Sequence, residues 1–311
     1  MIVTNQLTKR FDDFTAVDQL TIEVQKGELL ALLGPNGAGK TTTVRMLSAI
    51  LVPTEGNASI AGLDVVEDAD EVRRLVGMLT EQPGLYSRST GLEYLTFFGR
   101  LYGMNDSEIK EKGLALFDRF AMPNTAHRRL GEYSKGMRQK VGIIRSMLHD
   151  PQVLLLDEPT SAMDPHSSKL VRDAILELRN DHRTIIICTH NLSEAELLAD
   201  RIAIISYGAL ISLGSAPELK REIHNQHRYE ITIDQNVNGQ IDDFDQLVVV
   251  DFIADNVIRF RTDDPMVANP QLVRYLTNQG LGVVSLRELS VSLEDVYLSV
   301  VSDEDNDNHQ N

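Results

Sequence analysis

The stretch Leu29–Thr43, Leu-Leu-Ala-Leu-Leu-Gly-Pro-Asn-Gly-Ala-Gly-Lys-Thr-Thr-Thr, constrains the chain more than any other part. A short apolar run, which predicts a buried strand, breaks into a glycine-rich turn and meets Lys-Thr where a helical pattern begins. The pattern G-x-x-x-x-G-K-[ST] is complete from Gly34 to Thr41. Glycines let successive backbone N–H groups turn toward one anion, because a Cβ would block the φ angles and the close approach. A helix starting near Gly39 adds its unpaired N–H groups and the positive end of its dipole. Lys40 offers a full positive charge to the β- and γ-phosphates of a nucleotide, and the Thr41 hydroxyl is placed to ligate Mg²⁺. A purely structural glycine turn is the competing explanation, but it requires strand, glycines, lysine and threonine to coincide by chance.

With 311 residues, 42% hydrophobic and 24% charged, the chain suits a soluble globular protein with one large domain and one small one. No run approaches the ~18 apolar residues of a membrane span, and Met1–Asn5 lacks a secretory signal pattern, so a cytosolic chain is expected. The single cysteine, Cys188, allows no internal disulfide and agrees with a reducing compartment. A net charge of −16 argues against nucleic acid as the main partner. Residues 225–311 hold five basic and sixteen acidic residues, so −11 of that charge lies there, and a domain boundary is expected near 225.

Residues 2–8 and 20–25 alternate as strands do, with Phe11 in a loop between them that ends at Asp18. A helix is expected over Thr42–Leu51, then strands around Ala58–Ile60 and Leu75–Thr80. From Gly84 to His149 the pattern is helical: Thr90 and Glu93 form a capping box for a helix to Tyr102, and further helices cover Ser107–Phe120 and Ser134–Leu148. This block reads as a helical subdomain inserted in an α/β chain. Strand Val153–Glu158, helix Ser168–Arg179, strand Thr184–Thr189, a helix with Ser193 and Glu196 as capping box, and strand Arg201–Ser206 follow. Such alternation predicts a mostly parallel sheet flanked by helices. Beyond Tyr229 the texture changes to strands at Tyr229–Asp234, Leu247–Val250, Val257–Arg261 and Gly282–Leu286, with helices around Asn269–Gln279 and Ser292–Val300. Ser302–Asn311 is polar and acidic, the composition of a disordered tail.

Further pieces carry chemistry. The apolar strand ends in Asp157 and Glu158: the first can hold Mg²⁺ through water, the second can polarise an attacking water as general base. Ser134 and Gly136 stand at the start of a helix, where Ser134 is an ordinary N-cap and also part of a second N-terminus that can face an anion. Asp164 follows in the turn after Glu158. His190 ends a buried strand, where it could bond a γ-phosphate, although a histidine so placed is usually structural.

Together these residues resemble the nucleotide-binding subunit of an ATP-binding cassette (ABC) transporter over about residues 2–225. Leu33–Thr42 is similar to its Walker A motif and Val153–Glu158 to its Walker B. Ser134-Lys135-Gly136-Met137 resembles its signature, Ser161–Asp164 its D-loop and His190 its switch histidine. The resemblance implies a P-loop NTPase cassette of α/β class, binding ATP and Mg²⁺ and hydrolysing ATP. Gly34, Pro35, Asn36, Gly37, Ala38, Gly39, Lys40, Thr41 and Thr42 would hold the nucleotide, with Phe11 stacking on adenine. Lys40, Glu158 and His190 would act in catalysis, and Thr41 and Asp157 on the metal. It further implies a head-to-tail dimer, a homodimer in the simplest case, in which Ser134 and Gly136 of one subunit cap the ATP held by the other, and it places Asp164 of the D-loop among the nucleotide-binding residues.

Three residues depart from the family pattern. The signature, usually Leu-Ser-Gly-Gly-Gln, has Tyr133, Lys135 and Met137 in three of those places, while the serine and second glycine that cap the γ-phosphate are kept. Met163 replaces the usual D-loop leucine, a volume-conserving change. The Q-loop glutamine position falls on Glu81, the preferred metal-side residue, with Gln82 next door as the alternative.

The acidic segment 226–301, ending Ser292-Leu293-Glu294-Asp295-Val296-Tyr297-Leu298, resembles the small α+β C-terminal extension of ABC-2-type exporter ATPases, including drug-resistance and sodium-efflux subunits. That implies a subunit held at the inner face of the cell membrane by a separate permease, with about residues 81–103 as the docking surface. A soluble ABC ATPase of DNA repair, chromosome or translation processes is the alternative. It would call for a coiled-coil or zinc insertion, basic surfaces or a second cassette, and none of these is present in the sequence.

Overall fold

The computed structural model describes residues 1–81, 83–161, 163–180, 182–223, 227–236, 248–289 and 292–297. The chain forms two compact units that divide between Ala216 and Pro217. That is earlier than the boundary near 225 expected from charge, because backbone packing, not net charge, delimits a folding unit.

In chain order the first unit begins with β1 (Ile2–Phe11), β2 (Phe14–Leu20), β3 (Glu23–Val24), β4 (Leu29–Leu33) and α1 (Lys40–Leu47). There follow β5 (Glu55–Ile60), β6 (Leu63–Asp64), α2 (Ala69–Leu75) and β7 (Val76–Leu79). Next come α3 (Gly91–Leu101), α4 (Asp106–Arg119), a 3₁₀ turn at Leu130–Glu132 and α5 (Lys135–Met147). The unit closes with β8 (Val153–Asp157), α6 (Pro165–Asn180), β9 (Thr184–Thr189), α7 (Leu192–Leu198), β10 (Arg201–Ser206) and β11 (Ala209–Gly214). Helix α8 (Ala216–Ile223) starts at the division.

The main sheet has strand order β11-β10-β4-β9-β8-β7 and is parallel except for β11. Every residue of β4, β8 and β9 is buried, as central parallel strands covered on both faces must be. Because these strands run the same way, their carboxyl ends share one edge, where α/β proteins place their ligands. Register sharpens this: Leu33 pairs with Thr189 and Asp157 pairs with Cys188.

A second sheet, β2-β1-β5-β6 with β3 also on β1, is antiparallel. The segment expected as a loop after Phe11 is instead a hairpin turning at Asp12 (φ +48°), with Phe11 and Phe14 paired across it. Shifts in the β1–β2 register break the alternation that would have marked β2. Helix α2 was also not expected, since only Val72 of its residues is buried and no apolar stripe announces it.

In the helical block the Thr90–Glu93 capping box forms: Glu93 N donates to Thr90 Oγ1 (3.2 Å) and Thr90 N to Glu93 Oε2 (2.8 Å). Tyr94, Leu95, Ile109 and Phe117 form its buried interior. Arg145 of α5 donates to the carbonyls of Met78 and Pro83 and to Tyr94 Oη, tying the block to the end of β7. The capping box expected at Ser193 and Glu196 does not form. Asn191 caps α7 by accepting from Glu194 N (3.1 Å).

The second unit contains β12 (His227–Ile233), β13 (Val249–Ala254), β14 (Val257–Thr262), α9 (Pro265–Asn278) and β15 (Val283–Glu288). Its sheet, β13-β14-β12-β15, is antiparallel, and Ile231, Ile233, Ile258 and Phe260 pack with Leu272 and Leu276 of α9. Asp264 caps α9 through Met266 N and Val267 N. At Ser292 and Asp295 a reciprocal cap opens a helical turn that buries Leu293 and Val296. Residues 298–311, including the acidic tail, lie outside the described residues.

Candidate functional site

The turn after β4 is built by close packing as much as by phosphate geometry. A Cβ on Gly34 would lie 2.2 Å from the Ile205 carbonyl oxygen, and one on Gly39 2.3 Å from that of Ala16. Gly39, with φ +96°, also sits where L side chains are strained, and α1 starts at the next residue. Gly37 (φ +89°) has open space around it. Inside this turn the Lys40 ammonium donates to the carbonyls of Gly34 (2.7 Å) and Pro35 (2.9 Å). A buried ammonium folded onto the loop's own carbonyls marks a place suited to an anionic ligand.

Beside it, Thr41 Oγ1 donates to Asp157 Oδ2 at 2.8 Å. Burial pushes the Asp157 carboxyl above its ordinary value; the Thr41 bond pulls it down, the negative charge of Glu81 adds to the rise, and Lys40 and Arg45 oppose it. Glu158 continues the ladder past β8, its N–H donating to the Cys188 carbonyl (2.9 Å), and adopts φ +50°. That left-handed turn aims its carboxylate at His190, whose Nδ1 lies 2.8 Å from Glu158 Oε1. Gln139 of α5 holds the Glu158 carbonyl with a 3.2 Å bond from Nε2. Cys188 is fully buried behind the loop, and burial raises its thiol well above the usual range, which disfavours the reactive thiolate.

These groups surround a cavity of about 400 Å³ lined by Phe14, Ala16, Asn36, Gly37, Gly39, Lys40, Thr41, Thr42, Glu81, Asp157, Glu158, Ser161 and His190. Gly34 and Pro35 serve it through their carbonyls, and Ala38 is a core residue behind it. Phe11, expected as the adenine partner, is not in the lining; it stands 44% exposed with Lys9 Nζ 5.2 Å from its ring centre. Its cross-strand partner Phe14 is in the lining instead. Ser134, Gly136 and Asp164 are absent from the lining too. Ser134 caps α5 by accepting from Met137 N, and Asp164 accepts from His166 N and Ser167 N at the start of α6. Bonds from Ser167 hold the Asp164 carboxyl below its usual range. Gln82 lies outside the described residues, whereas Glu81 is at the cavity.

Sequence reading did not single out Phe14 and Ala16 of the lining, and named Ser161 only as the first residue of the D-loop. Phe14 and Ala16 come from a hairpin mistaken for a loop.

Comparison with known proteins places the chain in a family. A family model described as ABC transporter matches residues 17–161, and one described as the C-terminal domain of DrrA1-3-like ATP-binding proteins matches residues 214–301. The ABC transporter ATP-binding protein NatA of Bacillus subtilis is 38% identical over 244 residues, covering 77% of this chain and 99% of that protein. The chain belongs to the ABC transporter family.

The daunorubicin resistance ATP-binding protein DrrA3 of Streptomyces coeruleorubidus is 33% identical over 297 residues, 96% of this ABC protein and 91% of the relative. A solved ATP-binding subunit of an ABC transporter superposes with a TM-score of 0.66 at 27% identity, covering 72% of this chain and 93% of that one. The protein is thus an ATP-hydrolysing subunit coupled to transmembrane transport, with the α/β cassette fold and a C-terminal domain of the DrrA-like kind.

Proposed function

We propose that this subunit drives export through a separate permease by an ATP-dependent closure of two copies of the chain. In this reading Lys40 and the N–H groups of Asn36–Thr42 hold the phosphates, and Phe14 or Phe11 of the hairpin packs on the base. Ser134 and Gly136 of one copy cap the γ-phosphate held by the other, with Asp164 alongside. Their absence from the cavity of a single chain supports that division of labour.

Thr41 and Asp157 offer hard oxygen donors, and Asp157 is a nearly fully buried carboxylate whose charge is poorly compensated without a cation. That donor set fits Mg²⁺, which prefers one or two protein oxygens with phosphate and water completing its shell. Glu81, or Gln82 beside it, would stand on its outer side. When bound, Mg²⁺ neutralises charge building on the phosphates. The Glu158 carboxylate orients and deprotonates the attacking water, and His190 keeps Glu158 aimed while facing the γ-phosphate.

The DrrA and NatA relatives favour an export role, and the transport relatives as a group outweigh the repair, chromosome or translation alternative. Among the described residues no helix is long and apolar enough to cross a membrane, so attachment at the inner face would be through the permease. The exposed aromatics Tyr86, Phe97 and Tyr102, within the 81–103 segment, support it as the docking surface.

The 2.8 Å contact between Glu158 and His190 at the mouth of the cavity carries the reading. Glu158→Gln tests it. ATP binding should persist, hydrolysis should fall about a hundred- to a thousandfold, and an ATP-bound dimer should accumulate on gel filtration. Turnover at the wild-type rate would show that the base is another group.

A further inference from the structure

Glu194 is a carboxylate that the chemistry above leaves without a task. It lies in the first turn of α7 and is 3% exposed. Its partners are hydroxyls from a turn and from the end of a strand. Thr160 Oγ1 donates to Oε1 at 2.6 Å, and Thr189 Oγ1 donates to Oε2 at 2.7 Å.

Thr160 belongs to the turn that carries Glu158, in which Ser161 N donates to the Glu158 carbonyl (3.2 Å) and Met163 N to the Thr160 carbonyl (3.3 Å). Thr189 is the last residue of β9 and directly precedes His190. Its hydroxyl also accepts from Asn191 N (3.0 Å), the residue that caps α7. One buried carboxylate therefore fastens the turn behind the general base to the strand end behind the histidine.

The energetics favour a rigid link. A carboxylate removed from water is tolerated only when its oxygens are hydrogen-bonded, and short hydroxyl bonds to an ionised acceptor are stronger than neutral ones. The direct Glu158–His190 contact is different, because the His190 side chain is 55% exposed and water competes for it. A linkage out of solvent's reach can hold the two segments in register when that outer contact opens.

We propose that Glu194 is a positioning residue: it locks the Glu158 turn and the His190 loop together, so that base and histidine approach the γ-phosphate as a pair. The proposal rests on the roles given above to Glu158 and His190.

The test uses the full chain, with ATP turnover and nucleotide affinity measured side by side and melting temperature as a fold control. Thr160→Val and Thr189→Val each remove one arm at constant volume, the serine variants keep it, and Glu194→Gln turns one acceptor into a donor. Both valine variants and Glu194→Gln should lower kcat about ten- to hundredfold, the cost of sub-ångström misplacement. Nucleotide affinity should stay within about threefold, since the arms touch no phosphate-binding group, and the serine variants should recover most of the rate. The double valine variant should lose no more than the worse single one, because a link with one arm is already broken.

Wild-type kcat in both valine variants would overturn the proposal. So would losses that multiply in the double variant, or that follow melting temperature and persist in the serine variants. Glu158→Gln in the same assay separates the two readings. If it keeps wild-type turnover, the assigned base is wrong and the link falls with it. If it is slow while the valine variants are not, the link alone is wrong.

Discussion

Thr41 and Asp157, 116 positions apart in the chain, are joined by a 2.8 Å hydrogen bond from the threonine hydroxyl to the carboxylate. The bond closes the gap between the start of α1 and the end of β8, and it sits where burial makes a negative charge costly. Asp157→Asn should therefore separate stability from function. Because the folded-state pKa of Asp157 is raised, its ionisation opposes folding at neutral pH, and that cost is relieved as pH falls through the folded value. The asparagine variant should melt higher than wild type at pH 7, with the gain shrinking toward acid, while Mg²⁺-dependent hydrolysis falls about a hundredfold. Thermal scans against pH, paired with turnover, check both halves.

Lys40 lines the cavity, and its ammonium is held by the carbonyls of Gly34 and Pro35. Lys40→Ala should weaken ATP binding about ten- to a hundredfold, the scale of one or two charge-assisted hydrogen bonds. Titration calorimetry with ATP measures this directly, and unchanged affinity would remove Lys40 from the site.

Glu81 is close enough to raise the Asp157 carboxyl by its charge and lines the same cavity. Glu81→Gln should raise the Mg²⁺ concentration for half-maximal hydrolysis about three- to tenfold, since the cation loses a neighbouring negative charge. Gln82→Ala should have the smaller effect. The reverse ranking would hand the Q-loop role to Gln82.

His149, which is not in the cavity lining, gives the first unit a pH-sensitive point. Its ring stacks on Tyr102 at 3.8 Å, Nε2 lies 3.1 Å from the Val76 carbonyl oxygen, and Nδ1 is buried without a hydrogen-bond partner among the described residues. Burial pushes its pKa down from 6.5 to about 4. The unfolded chain therefore takes up a proton before the folded one does, and stability is lost as pH falls from about 6.5 to about 4. At 1.36 kcal/mol per pKa unit the loss approaches about 3 kcal/mol. His149→Phe keeps the stack and should flatten the melting temperature over that interval.

How much was readable in advance varied with the physics of each piece. Strand Thr184–Thr189 was placed to the residue because an unbroken apolar run between polar ends has one reasonable home, a covered parallel sheet. The Thr90–Glu93 cap was readable because it is a contact between near neighbours. The cap of α7 was misassigned for a related reason. Glu194 matched neither end of the Ser193–Glu196 spacing, and its side chain is spent on Thr160 and Thr189, partners that no local pattern reveals. Hairpin β1–β2 escaped because its register shifts erase the two-residue period, and with it went the aromatic that lines the cavity.

The phosphate turn itself was determined by sequence alone. Gly37 and Gly39 act through positive φ and Lys40 through short-range bonds to the carbonyls of Gly34 and Pro35, properties of consecutive residues, whereas the close approaches of Gly34 to Ile205 and of Gly39 to Ala16 belong to the tertiary packing. The sequence also determined that acids end one strand and a histidine another. Only the tertiary structure decided that these ends meet. Placing β9 between β4 and β8 aligns Leu33 with Thr189 and Cys188 with Asp157, which brings Lys40, Glu158 and His190 around one cavity. Strand order is set by hydrogen bonds between segments far apart in the chain, and side-chain periodicity within a strand carries no record of its neighbours.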